Sequence, residues 1–117
     1  MAVKAFTQGT FNGQGRIYTA TLDTGDETDV LKFVGGESDV QFSAHGTIAG
    51  STVTAQVTLD NSNYVTAESQ AGTALALTTI GVAKVVKTVG IGMKWAISGG
   101  TASGIVVNVY VPHKVRP

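Results

Sequence analysis

The strongest constraint on this chain is the alternation of its apolar residues, because side chains with a period of two point to opposite faces of a β-strand. The clearest example runs from Thr52 to Leu59. One face of this segment carries Val53, Ala55, Val57 and Leu59, and the other carries Thr52, Thr54, Gln56 and Thr58. The pattern predicts a strand that buries the first set and exposes the second. Helical periodicity is not evident anywhere, and the abundant Gly and β-branched residues work against helices.

The same alternation predicts further strands along the chain. They fall at residues 17–22, 29–34, 40–48, 64–68, 73–78, 82–89, 93–97 and 105–111, with residues 64–68 and 73–78 forming a hairpin. Turns rich in Gly and Asn separate them. About eight short strands predict an all-β fold, an antiparallel β-sandwich or jelly roll.

The length of 117 residues fits one domain, so we predict a single β-sandwich over residues 1–117 with a short N-terminal arm. The expected core faces include Val40, Phe42, Ala44 and Ile48 on one strand, Met93, Trp95 and Ile97 on another, and Ile105, Val107, Val109 and Val111 on the last. The last strand should stop at Val111, because a proline cannot donate to a ladder. Residues 112–117 are then a C-terminal tail.

The charge content limits the possible partners. The formal net charge is zero and 14% of the residues are charged, which argues against a nucleic-acid partner. No apolar run approaches the roughly 20 residues of a membrane helix, so no membrane partner is expected. The chain has no cysteine, which excludes disulfides and thiol chemistry. A weakly charged surface of this kind favours association with other proteins.

The charges are unevenly distributed along the chain. Six of the eight acids lie within residues 23–39, and no acid follows Glu68. One interpretation is that these are solvated loops of different composition. The other is that complementary patches meet between subunits. The candidate interface residues are then Asp23, Asp26, Glu27, Asp29, Lys84, Lys87, Lys94, Lys114 and Arg116.

Neither histidine indicates a catalytic site. Ser43 and His45 point the same way from one strand at a spacing of roughly 7 Å, which is too long for a direct hydrogen bond. His113 lies in the C-terminal tail. We therefore predict no catalytic residue and no enzymatic activity, and His45 as a surface histidine.

The acidic segment from Asp23 to Asp29 holds four carboxylates, and calcium favours oxygen ligands of this kind. The EF-hand spacing is missing, so a solvated acidic turn without a metal is predicted, and calcium binding stays an open alternative. The glycines at 13–15 and 99–104 lack the Lys-Ser/Thr of a phosphate-binding loop. They are expected to be turns, and no cofactor is predicted.

The aromatic residues predict a core more than a ligand platform. Trp95 shares a strand face with Met93 and Ile97, which indicates burial. Tyr18, Tyr64 and Tyr110 are scattered in the sequence. Their convergence on one surface would indicate a carbohydrate-binding module.

Two segments, HGTIAGSTVTAQVTLDNSNYVTA and KWAISGGTASGIVVNVYV, resemble small all-β virion proteins of tailed bacteriophages. The matching positions are Gly46, Gly50, Val53, Gln56, Asp60, Tyr64, Trp95, Gly99, Gly100 and Val106 to Val109. The resemblance covers about the last two-thirds of the chain. Thr58 stands where such proteins often have Ser, and Asn-Ser-Asn replaces their usual Asp-Gly turn. The acidic segment lies outside the resemblance.

The resemblance implies a non-enzymatic role as a capsid decoration or cement protein that binds and stabilises the outer shell. It also implies assembly in the host cytoplasm, a final location on the capsid surface, and partners such as the major capsid protein or other virion subunits. A homo-oligomer is expected, with a trimer favoured. The alternatives are a head- or tail-associated structural or fibre subunit and a carbohydrate- or receptor-binding module.

Overall fold

The structure, a computed structural model, describes residues 3–9, 15–33, 40–81, 83–87 and 90–112. These residues form twelve strands: β1 Val3–Lys4, β2 Thr7–Gln8, β3 Gly15–Leu22, β4 Glu27–Thr28, β5 Leu31–Lys32, β6 Gln41–Thr47, β7 Thr52–Thr58, β8 Tyr64–Thr66, β9 Ala76–Leu77, β10 Lys84–Val85, β11 Gly92–Ser98 and β12 Ser103–Pro112. The described residues contain no helix that is long and apolar enough to span a bilayer. The predicted all-β class is confirmed.

The strands form two sheets. The seven-stranded sheet has the order β1-β4-β11-β7-β8, with β5 paired to β11 and β9 paired to β7. The five-stranded sheet has the order β10-β6-β12-β3-β2. Apart from the parallel pair β1–β4, the strand pairs of the described residues are antiparallel. The predicted antiparallel sandwich or jelly roll is confirmed.

The core lies between the sheets and is built by the alternating residues. Most of the predicted inward residues are buried on the three central strands: Val53, Ala55 and Val57 on β7, Met93, Trp95 and Ile97 on β11, and Ile105, Val107 and Val109 on β12. Ile48 and Val111, also predicted inward, are only partly buried. Trp95 is fully buried, with the rings of Phe6 and Phe42 edge-on at centroid distances of 5.8 and 5.5 Å. Its indole N–H has no hydrogen-bond partner in the described part of the chain.

The prediction for the end of β7 is wrong. Leu59, expected in the core, is 70% exposed, and Thr58, expected outside, is 1% exposed. The alternation stops because β7 ends at Thr58, whose hydroxyl accepts the backbone N–H of Asn61 at 2.9 Å. Thr58 therefore belongs to the turn, and the buried hydroxyl satisfies a backbone donor.

Several predicted strands are shorter in the structure. Only Lys84–Val85 is a strand within residues 82–89, of which 82, 88 and 89 lie outside the described residues. The predicted hairpin forms near its turn, where Glu68 bridges Ala74, but its outer parts, β8 and β9, both pair with β7. The predicted N-terminal arm is divided between the sheets as β1 and β2. The last strand extends to Pro112, one residue beyond the prediction, because a terminal position does not require an N–H donor.

Three of the turns that carry the chain between the sheets lie together, and we call these three the turn junction: residues 23–26, 48–51 and 99–102. Ser51 lies at its centre and is fully buried. Its hydroxyl donates to the carbonyl oxygen of Gly99 at 2.6 Å and accepts the N–H of Ala102 at 3.1 Å. The Thr24 hydroxyl lies 3.3 Å away. One side chain therefore connects all three crossings.

A close approach beside the junction requires glycine. The register of β12 against β6 shifts between Ser103 and Val106, which places Gly46 against Gly104. Gly46 has a φ of 135°, and a Cβ atom there would overlap the carbonyl oxygen of Gly104. The bulge and the bare glycine together let the two strands stay paired as they curve.

The turn after β7 is closed by Asp60. Its Oδ1 accepts the backbone N–H groups of Asn63 and Ser62 at 2.8 and 2.9 Å, and its Oδ2 accepts the side-chain amide of Asn63 at 2.7 Å. These hydrogen bonds, the backbone N–H of Asn63 first, hold the pKa of Asp60 well below its ordinary range. The sequence-predicted turn at residues 60–63 is thus an Asx turn that favours the ionised carboxylate.

Replacing Ser51 with Ala should lower the free energy of unfolding by about 1–3 kcal/mol, because it leaves the Ala102 N–H and the Gly99 carbonyl without their partner. Chemical denaturation followed by the emission of Trp95, the single tryptophan, measures the change. Ser98→Ala, at the exposed end of β11, is the control and should change stability little. Equal effects of the two substitutions would contradict the central role of Ser51.

Asp60 should make stability depend on pH in the acid range. Its pKa is depressed in the folded state, so its contribution is fully present above the unfolded value near 3.8 and is lost as pH falls toward the folded value. The stability advantage of the wild type over Asp60→Asn should therefore be constant above about pH 5 and shrink below about pH 4. Unfolding midpoints of both proteins between pH 3 and 7 test this, and parallel curves would refute it.

Candidate interaction surfaces

The first two predicted interface acids accept backbone N–H groups at the 23–26 turn and at the start of β12. Asp23 Oδ1 accepts the N–H of Gly104 at 2.9 Å, and Asp26 Oδ2 accepts the N–H of Asp23 at 3.0 Å. Asp26 is only 9% exposed, and Lys4 Nζ lies 3.9 Å from its Oδ2. The prediction of a solvated acidic turn is therefore wrong for Asp26, because its carboxylate accepts a backbone donor inside the turn.

Glu27 and Asp29 also have partners within the chain. Glu27 Oε2 lies 3.1 Å from Lys94 Nζ, and both side chains are largely buried. The Lys94 ammonium also lies 4.4 Å from the centroid of the Tyr64 ring. Asp29 Oδ1 accepts the backbone N–H of Phe6 at 3.2 Å. These contacts tie β4 and the segment after it to β11 and to the segment between β1 and β2.

The remaining candidate interface residues are basic. Lys84 is half-buried on β10 and Lys87 is exposed just after it. Lys114 and Arg116 lie outside the described residues. Of the nine candidates, the structure thus brings Glu27 and Lys94 together, but within one chain. The pairing of acidic and basic patches between subunits stays a prediction.

The residues considered for chemistry are placed as follows. Ser43 and His45 share the outer face of β6, as predicted, and pair across the sheet with Asn108 and Val106. His45 is exposed. Among the described residues, no three His, Asp or Glu side chains are grouped so that they could hold a metal ion.

The three tyrosines lie in three different places. Tyr18 points inward and meets the ring of Phe6 at a centroid distance of 6.3 Å. Tyr64 is on the outer side of the seven-stranded sheet under Lys94. Tyr110 is on the outer face of the five-stranded sheet, opposite Ile17 and Gln41. The tyrosines therefore do not form one shared platform.

The outer face of the five-stranded sheet is a surface that the sequence reasoning missed. We call it the uncharged face: Thr7, Ile17, Thr19, Thr21, Gln41, Ser43, His45, Val85, Val106, Asn108 and Tyr110. These described residues include no Asp, Glu, Lys or Arg. The sequence contains the signal, since every second residue of β3, β6 and β12 is neutral. Only the strand register shows that these neutral residues lie side by side on one surface.

Strand register arranges this face in three rows, because directly opposed residues of antiparallel strands point to the same side. One row reads Val85, Gln41, Tyr110 and Ile17; the central row reads Ser43, Asn108, Thr19 and Thr7; the third reads His45, Val106 and Thr21. In the central row the Thr19 hydroxyl donates to Asn108 Oδ1 at 2.9 Å. A neutral polar row thus separates two rows that contain the apolar side chains.

The outer face of the seven-stranded sheet differs. It carries Glu27 and Lys94, which form the ion pair, and Lys32, which is exposed. Thr54, Gln56 and Thr66 lie on the same side of β7 and β8. The paired residues on one outer face of the sandwich thus include charged side chains, and those that define the uncharged face include none; Lys87, exposed just after β10, lies beyond the edge of this set.

Comparison with known proteins bears on the fold. A scan of protein-family models finds no match, and a search of curated proteins finds none either. Among solved structures, a cupin domain from Bordetella pertussis Tohama I superimposes with a TM-score of 0.54 and is 14% identical, over 94% of this chain and 94% of that one. At this level of identity the likeness concerns the fold alone, and the cupin-like sandwich agrees with the two-sheet architecture.

Proposed function

We propose that this chain is a non-enzymatic structural subunit of a virion, and that it acts as a capsid decoration protein on the outer shell of a tailed bacteriophage. The observation that carries the structural role is the uncharged face, a sheet surface of neutral side chains. Such a surface suits a broad contact with another protein, because no charged group must be removed from water when the contact forms.

The charged groups support the same proposal. Asp23 accepts a backbone donor of β12, Asp26 accepts one inside the turn junction, and Glu27 pairs with Lys94. These contacts lie within the chain and stabilise the sandwich itself, which a shell-bridging protein needs. The more specific assignment to a capsid rests on the sequence resemblance to virion proteins, and the major capsid protein is the proposed partner.

A head- or tail-associated subunit of the same architecture would use the same features, so the location in the virion separates the two proposals. A carbohydrate-binding module finds less support. Its expected platform of Tyr18, Tyr64 and Tyr110 is divided between the interior and two opposite outer faces.

The proposed function predicts that the purified protein co-sediments with undecorated capsids of the phage that encodes it. Occupancy should saturate at a fixed number of copies per capsid, and bound protein should raise the temperature at which the shell disrupts, because a ligand stabilises the state it binds. Bovine serum albumin at the same concentration is the control for trapping. Recovery only with tails, or no recovery with either, would overturn the decoration role.

A further inference from the structure

From the register and charge of the five-stranded sheet, we infer that the uncharged face packs against the same face of a second copy of this chain to form a two-fold dimer. The inference rests on the proposed structural role and names one partner for its surface. A two-fold contact sets each patch against itself, so a charge close to the axis would meet its own copy. A face without Asp, Glu, Lys or Arg among its described residues avoids this repulsion.

The position of β12 favours such self-contact. β12 is the central strand of the five-stranded sheet, with β6 on one side and β3 on the other. A two-fold axis through the middle of the face places β12 against the partner's β12. The apolar side chains of Val106 and Tyr110 and the exposed part of Ile17 then lie within the contact. Two sheets that pack face to face in this way interdigitate their side chains at a spacing of about 10 Å.

The short edge strands of the five-stranded sheet favour association through its outer face over strand pairing with another chain at its edge. The two outermost strands, β2 and β10, have two residues each. Edges this short offer few free backbone groups for a neighbouring strand, which is a common protection against edge-to-edge association. Self-association through this sheet is thereby directed to its outer face.

The area of the uncharged face determines the expected affinity of the dimer. The strands β2, β3, β6, β10 and β12 contain 2, 8, 7, 2 and 10 residues, which at about 4.8 Å between strands and about 3.4 Å per residue gives roughly 470 Å² of sheet per copy. Specific interfaces bury roughly 600–1,000 Å² per partner, so this contact lies below that range and should be weak. The dimer should therefore dissociate on dilution, and raising the salt concentration should not dissolve it, because the contact contains no ion pairs to screen.

Sedimentation velocity over a concentration series tests the inference, at about 0.1 M and about 1 M salt. We expect a monomer–dimer equilibrium at both. Thr21→Lys and Ile17→Lys place an unpaired charge on the uncharged face and should each raise the dissociation constant about tenfold or more. Thr66→Lys, on the exposed β8 of the other sheet, is the matched control and should leave the equilibrium unchanged. Emission from the buried Trp95 confirms that each variant is folded.

Three results would overturn the dimer: a monomer at every concentration, an oligomer that both face variants leave intact, or an oligomer that high salt dissolves, as expected for pairing of the acidic and basic patches. Capsid co-sedimentation of the same variants separates this inference from the proposed function. A monomer that binds capsids and loses that binding in Thr21→Lys would assign the face to the capsid and refute self-pairing. A face-dependent dimer that binds neither capsids nor tails would support the pairing and refute the virion role.

Discussion

The two-sheet arrangement depends on hydrogen bonds at the points where the chain crosses between the sheets, and the Ser51 hydroxyl makes two of them. Where the backbone crosses from one sheet to the other, each backbone group that becomes buried needs a hydrogen-bond partner. Ser51 donates to the Gly99 carbonyl and accepts the Ala102 N–H with one hydroxyl. Because the two turns that it joins precede β7 and β12, the same contact fixes where a central strand of each sheet begins. The core faces can then meet in a single register.

How far the sequence predicts this fold depends on the length of each strand. β7, β11 and β12 show seven or more residues of alternation, and their buried faces were identified correctly except at the ends of β7 and β12. Six strands have two residues each, too few for a period of two to be seen. Leu59 and Thr58 were misassigned because hydropathy does not reveal that a threonine hydroxyl is needed by a turn. Short strands and turns are decided by long-range pairing, which one sequence does not display.

The candidate surface was predicted less well, for a related reason. The sequence shows the sign of each charge but not its partner, so Glu27 and Lys94, 67 positions apart, suggested two patches where the structure has an ion pair. The uncharged face had the opposite difficulty. Its members come from five strands spread between Thr7 and Tyr110, and none of them is unusual alone. Only the register shows that their neutral positions coincide.

The two outer faces of the sandwich differ in charge, and this difference affects which face can associate with another protein. A protein that associates through one face needs the other to remain hydrated, and exposed charge provides this because ionised groups are costly to remove from water. Lys32 is exposed on the seven-stranded sheet, on the same side as the Lys94–Glu27 pair. The five-stranded sheet has neutral side chains in the equivalent outward positions. Association of two copies by the uncharged face therefore leaves the charged sheets outermost, which limits further stacking of copies of this chain.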